Sequence, residues 1–219
     1  MYFKYNLSLA ILYLCLKRVI IVREKTFRLI HITYVLFITN LISILYLSLG
    51  LFSLTLVPVI FTNIKISTML LNDEIDGYSG IWQIFNSTIK KYFKNNKVSI
   101  LLNGVYTLTL VVSIILLRRI EWQIAGILNY FFIYLYIVIT VYWAYYSLYL
   151  IIKKKSIKYI DALAIMFMKP KKLFITVASF ILIGILSLIR REFLVLLSIA
   201  IISAIFVKVN KHTIEEINI

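Results

Sequence analysis

Residues Val98–Leu117 read VSILLNGVYTLTLVVSIILL, with Lys94 and Lys97 ahead of them and Arg118-Arg119 behind. An uncharged apolar run of about 20 residues bracketed by basic ones is what an α-helix needs to cross the hydrocarbon core of a bilayer. The rest of the chain repeats the pattern. Leu29–Gly50 and Leu51–Leu71 come before this run; Trp122–Ile152, Leu173–Ile189 and the shorter Phe193–Val207 follow it. Composition agrees. Of 219 residues, 62% are hydrophobic and 15% charged, whereas soluble domains are roughly 45–50% apolar and about 25% charged. Mean hydropathy is +0.96. A soluble protein this small has too much surface for its volume to hide that apolar area. The sequence therefore predicts an all-α polytopic membrane protein, a six-helix transmembrane bundle. A single membrane domain covers residues 29–207, with spans at about 29–50, 51–71, 98–117, 122–152, 173–189 and 193–207. Residues 1–28 precede it and 208–219 follow as a cytoplasmic tail.

The 24 Lys and Arg set the orientation. Six lie before the first span: Lys4, Lys17, Arg18, Arg23, Lys25 and Arg28. Lys65, Lys90, Lys91, Lys94 and Lys97 belong to the segment between spans two and three. Lys153, Lys154, Lys155, Lys158, Lys169, Lys171 and Lys172 lie between spans four and five, and Lys208 and Lys211 end the chain. With six crossings all of these share one side, against only Arg118, Arg119, Arg190 and Arg191 on the other. Such a bias places both termini in the cytoplasm. In a soluble protein the net charge of +15 would point to nucleic acid; here no nucleic-acid motif accompanies it, and none is expected as a partner.

Three segments outside the spans read as helices. Tyr5–Val22 is apolar but interrupted by Lys17 and Arg18, which suits an N-terminal amphipathic interfacial helix. Its charges follow the apolar run and no small-residue cleavage site is present, against a signal peptide. In the cytoplasmic segment after span two, Ser79 is placed to cap a helix whose Ile81, Phe85, Ile89 and Phe93 recur at every fourth position beside Trp82 and Tyr92. Its lysines face anionic headgroups. Ser156 similarly starts a second cytoplasmic helix, with Ile157, Ile160, Ala164 and Phe167 on one face and Pro170 at its end. A cytoplasmic helix followed by a hairpin with an Arg-Arg turn thus occurs twice, 72 residues apart, which raises an internal repeat against the ordinary likeness of one helical hairpin to another.

No phosphate-binding, dinucleotide, zinc-protease or nucleophile-elbow motif is present, and no acidic residue lies mid-span, so neither enzymatic chemistry nor a cofactor is expected. Cys15 is the sole cysteine, and His31 and His212 have no metal-binding spacing. Two sets of residues remain as candidates. Asn40, Pro58, Asn63, Lys65, Asn103 and Asn129 sit inside predicted spans and would line a polar cavity, or else serve a kinked helix, interhelical hydrogen bonds and a snorkelling lysine. Trp82, Phe85, Ile89 and Phe93 would bind a protein partner, because rigid aromatic area is enriched where binding energy concentrates, or else pack on the bundle itself. The tyrosines of span four, from Tyr130 to Tyr149, suit either a membrane-interface belt or sugar binding.

Several stretches carry a resemblance. These are Asn40-Leu41-Ile42, Leu49-Gly50-Leu51-Phe52, Val57-Pro58-Val59, Ile81-Trp82-Gln83-Ile84-Phe85, Lys91-Tyr92-Phe93-Lys94-Asn95-Asn96, and Ser156–Lys172 with its Lys169-Pro170-Lys171 end. Together they resemble the YesL family of bacterial membrane proteins, over about residues 30–207. That resemblance implies an accessory membrane subunit of a carbohydrate (oligosaccharide) ABC importer, with permease subunits and the anionic bilayer as partners and a role in assembly, gating or regulation. It transfers no catalytic residue. The alternative is a substrate-binding membrane subunit like the small six-span components of energy-coupling importers.

Overall fold

The structure, a computed structural model, describes residues 2–50, 53–75, 80–120, 122–155, 157–189 and 198–217, with side chains from residue 24 onward except at 159, 184, 187 and 188. The expected caps Ser79 and Ser156, the turn Arg190-Arg191-Glu192 and the start of the sixth span at Phe193 lie outside the described residues. The described residues are almost wholly helical, with no strand among them. Among the described residues eight helices follow in order: α1 Tyr2–Leu49, α2 Leu56–Leu71, α3 Ile81–Asn95, α4 Lys97–Leu117, α5 Gln123–Lys153, α6 Tyr159–Met168, α7 Pro170–Ile189 and α8 Ser198–Glu216. Among the described residues, three segments are long and apolar enough to cross a membrane: Glu24–Leu49, α4 and α5. This is the build of a membrane-associated protein.

Six of the helices form three successive outer–inner pairs. The inner helices α2, α5 and α8 pack on one another at the centre. Each outer helix lies against the inner helix of its own pair and that of the preceding pair: α4 on α5 and α2, α7 on α8 and α5, and α1 on α2 and α8. The neighbour relations therefore repeat three times around the bundle, which supports the internal repeat. The largest core cluster joins Ile64, Val141, Ala144, Leu148, Phe206 and Ile214, all from the inner helices.

Three boundaries differ from the sequence reading. First, no break falls between residues 28 and 29; one 48-residue helix runs through, because no Gly or Pro interrupts it. Second, α2 starts at Leu56 rather than Leu51. At 16 residues it spans only about 24 Å at 1.5 Å per residue, short of a bilayer core. Pro58 then falls in its first turn, where a missing N–H costs nothing, so it is not a mid-helix kink. Third, residues 208–216 are no free tail but the second half of α8, with Asn210, Thr213 and Ile214 buried. The helix α3 packs along α1 and α2. It breaks from α4 only at Asn96, and Ile100 of α4 shares a cluster with Tyr92, Val57 and Trp143. The last ten residues of α5 consequently run beyond the start of α4, into the space between α2, α6 and α8.

Candidate functional site

Gly80 opens α3 at φ +114°, a left-handed conformation that glycine adopts without strain. From there Ile81, Phe85, Thr88, Ile89 and Tyr92 face inward. The Tyr46 ring lies 5.4 Å from Phe85 and 6.3 Å from Trp82. Tyr46 also donates its hydroxyl to Asn86 Oδ1 at 2.9 Å. Phe61 packs 4.7 Å from Tyr92. The expected partner-binding face is thereby corrected. Phe85 is 0% exposed and Ile89 3%, both inside the α1–α2–α3 core, and Phe93 is half-buried there. Only Trp82, at 49%, stays open for an incoming surface. Aromatic size and spacing were right for a buried face; what they could not distinguish was a partner from the chain's own α1.

The six polar candidates are dispersed rather than gathered. Asn40, fully buried on α1, accepts from the backbone N–H of Ile199 at 2.9 Å and Ala200 at 3.3 Å. It caps the start of α8 from 159 residues away, supplying the acceptor that the first helical N–H groups lack. Asn63 donates to Val59 O at 2.9 Å and to Ser43 Oγ at 2.7 Å, while its own Oδ1 has no partner. Lys65 donates to Thr88 Oγ1 of α3 at 3.2 Å. Asn103 turns back on its own helix, donating to Ser99 O at 2.6 Å. The Asn129 Oδ1 is buried without a partner. None of these residues, nor Pro58, lines the three cavities described below.

A second asparagine escaped the sequence reading. Asn210 on α8 repeats the bonding of Asn63: it donates to the carbonyl one turn back, Phe206 O at 3.0 Å, and to a hydroxyl on the outer helix of its pair, Thr176 Oγ1 at 3.1 Å. Its Oδ1 accepts from Tyr145 at 2.7 Å. The signal was present in Phe206, Asn210, Thr213, Ile214 and Ile217, spaced for one buried helix face, but Lys208, Lys211 and the terminal glutamates obscured it.

Around this network the basic end of the bundle closes. Lys153 donates to Glu215 O at 2.8 Å, a cation at the C-terminus of α8. Lys169 bonds Glu216 at 2.8 Å and holds its carboxyl below the usual carboxylate range, first through the hydrogen bond and then through charge. Lys211 reaches Asn72 beyond α2, and Nη2 of Arg28 donates to both carboxylate oxygens of Asp73, at 2.8 and 2.9 Å. No cluster of metal ligands occurs among the described residues.

Three of the cavities bordered by described residues open between the helices. One, of about 830 Å³, lies between the end of α1, α4 and the start of α8, and its lining includes Leu47, Ser48, Gly104, Leu108 and Ile199. Leu47 and Ile199 also border a cavity of about 220 Å³ at the centre of the inner helices. The third, about 410 Å³, lies between α1 and α3. Comparison with family models, curated proteins and solved structures returns no match to this chain.

Proposed function

We propose that the chain is an accessory integral membrane subunit of a carbohydrate ABC importer in a bacterial cell membrane, assisting its assembly, gating or regulation without catalysis of its own. The resemblance to the YesL family suggests the role, and Trp82 is the observation that carries it to a place. A half-exposed tryptophan sits on a helix pinned to the bundle by Phe85 and Tyr92, with Lys90, Lys91 and Lys94 exposed along the same helix. Rigid aromatic anchors on fixed backbone are where binding energy concentrates. Purification of the tagged chain in mild detergent tests the reading: a transporter permease should accompany it, and recovery free of any permease contradicts it.

The proposal includes six crossings with both termini inside, supported by the Lys and Arg asymmetry. One feature of the bundle pulls the other way. Gly50, in a turn that six crossings put outside, lines the same cleft as Lys90, which they put inside. Labelling single cysteines at Ser48 and at Arg118 with an impermeant thiol reagent, in a Cys15→Ser background, decides it. Six crossings require both to react from outside; protection of the exposed Ser48→Cys alone would make the first helix pair re-entrant.

The cavity of about 830 Å³ favours a second reading, a membrane subunit that captures a small molecule. Its volume lies within the range of ligand sites. Submicromolar binding of a small molecule by the isolated chain would support it.

A further inference from the structure

The cavity of about 830 Å³ has an exposed rim and a buried floor. Leu101, Val105 and Leu108 of α4 form the rim and are 54–60% exposed. Leu47, Ser53, Gly104 and Ser198 form the floor, and all four are buried. Leu54, just ahead of α2, lies against Gly104, where a Cβ would stand 2.3 Å from its Cδ2. The wall from Leu101 to Val111 covers ten residues, about 15 Å of helix, in the middle of α4. That helix is long and apolar enough to cross a membrane, so the cavity opens sideways at the depth of the hydrocarbon. Among the described residues that line it none is charged and none is aromatic. Of its three serines, Ser53 and Ser198 already have partners.

We propose that this cavity holds a hydrocarbon chain, and specifically one acyl chain of a membrane phospholipid inserted between α1, α4 and α8. The proposal rests on the second reading above and names its molecule, a lipid chain and not a sugar. A sugar would bring hydroxyls that lose water and find almost no hydrogen-bond partners on these walls. Water is no better served, since it needs two or more polar contacts to stay in a buried site. A void would forfeit the dispersion contacts of every side chain around it. A hydrocarbon chain gains those contacts and leaves no polar group unmet. It also reaches the site directly from the bilayer, past the exposed rim of α4.

The test uses the full chain in phosphatidylcholine nanodiscs that include a phosphatidylcholine carrying a diazirine near the end of one acyl chain. After irradiation, adducts are mapped to residues by mass spectrometry. The buried Leu47, Gly104 and Ser198 should carry adducts as well as the rim. Val105→Trp and Leu108→Trp, both at exposed positions, fill the mouth and should each lower the floor adducts about tenfold. Leu102→Trp, exposed on α4 but outside the lining, should leave them unchanged. Adducts confined to exposed positions would overturn the proposal, because ordinary bilayer contact then suffices. Equal losses from all three variants would overturn it too. In a parallel arm, floor labelling by palmitic acid with the same diazirine, and not by the phospholipid, would uphold the site and assign it to a free fatty acid. In another, maltose is titrated onto the isolated chain. Maltose binding that Leu108→Trp abolishes would overturn the proposal and keep the second reading; neither floor adducts nor maltose binding would overturn both.

Discussion

Tyr145 and Asn210, 65 residues apart, join α5 to α8 through a buried hydrogen bond of 2.7 Å, and the same asparagine holds Thr176 of α7. One side chain thus ties the second and third helix pairs together. Tyr145→Phe leaves Asn210 Oδ1 without a donor and should cost about 1–2 kcal/mol. Asn210→Ala strands both partners and should cost about 3 kcal/mol. Because the residues share one bond, the double variant should cost less than the two losses added together. Equilibrium unfolding in detergent measures all three; simple additivity would mean the bond does not contribute.

Asn40 supplies the acceptor for the first turn of α8. Asn40→Ala should lower stability by about 1–2 kcal/mol, the range for loss of a helix cap. The local signature is sharper than the global one. Amide exchange at Ile199 and Ala200 should accelerate while that at Asn210, two turns or more along α8, stays protected.

Phe85 and Trp82 lie three residues apart and should behave oppositely. Phe85→Ala empties a fully buried site and should cost about 3–5 kcal/mol, read as a lower unfolding midpoint. Trp82→Ala should change stability by less than about 1 kcal/mol, since half of the ring is already exposed. A large stability loss at Trp82 would place that ring in the bundle core and leave α3 without an accessible anchor.

The Lys169–Glu216 pair predicts a pH dependence. The Glu216 carboxyl titrates below its ordinary value of 4.5 when folded, so the folded chain binds its proton more weakly than the unfolded chain. The stability it contributes is full above that ordinary value and is lost as pH falls through the lower folded value. Wild type should therefore exceed Glu216→Gln in thermal midpoint near neutrality, with the gap closing on acidification and shrinking in high salt. A gap constant across pH would contradict the pairing.

Long apolar runs between charges made some elements legible to within a residue. Residues 98–117 and 122–152 became Lys97–Leu117 and Gln123–Lys153, because charge marks where lipid-compatible sequence stops. Asn63 makes the expected bond between helices, to Ser43 of α1, whereas Asn103 turns back on Ser99 of its own helix. The failures share a physical cause. Whether Phe85 faces a partner or α1, whether Asn40 serves a cavity or caps a helix 159 residues away, and whether residues 208–216 hang free or pack all depend on which helices become neighbours. Local periodicity gives a face its character but not its occupant. Pro58 shows the cost of a misplaced boundary: moving the helix start from Leu51 to Leu56 turns a supposed kink into a favourable first-turn residue.

The most direct test of the central claim is photo-crosslinking from position 82 in living cells. Trp82 is replaced by p-benzoylphenylalanine in the full chain, the cells are irradiated, and the adducts are identified by mass spectrometry. An adduct with a permease subunit of a carbohydrate importer, present from position 82 and absent when the same probe stands at the buried Phe85, is the predicted result. Adducts confined to lipid or to the chain's own α1 would contradict it.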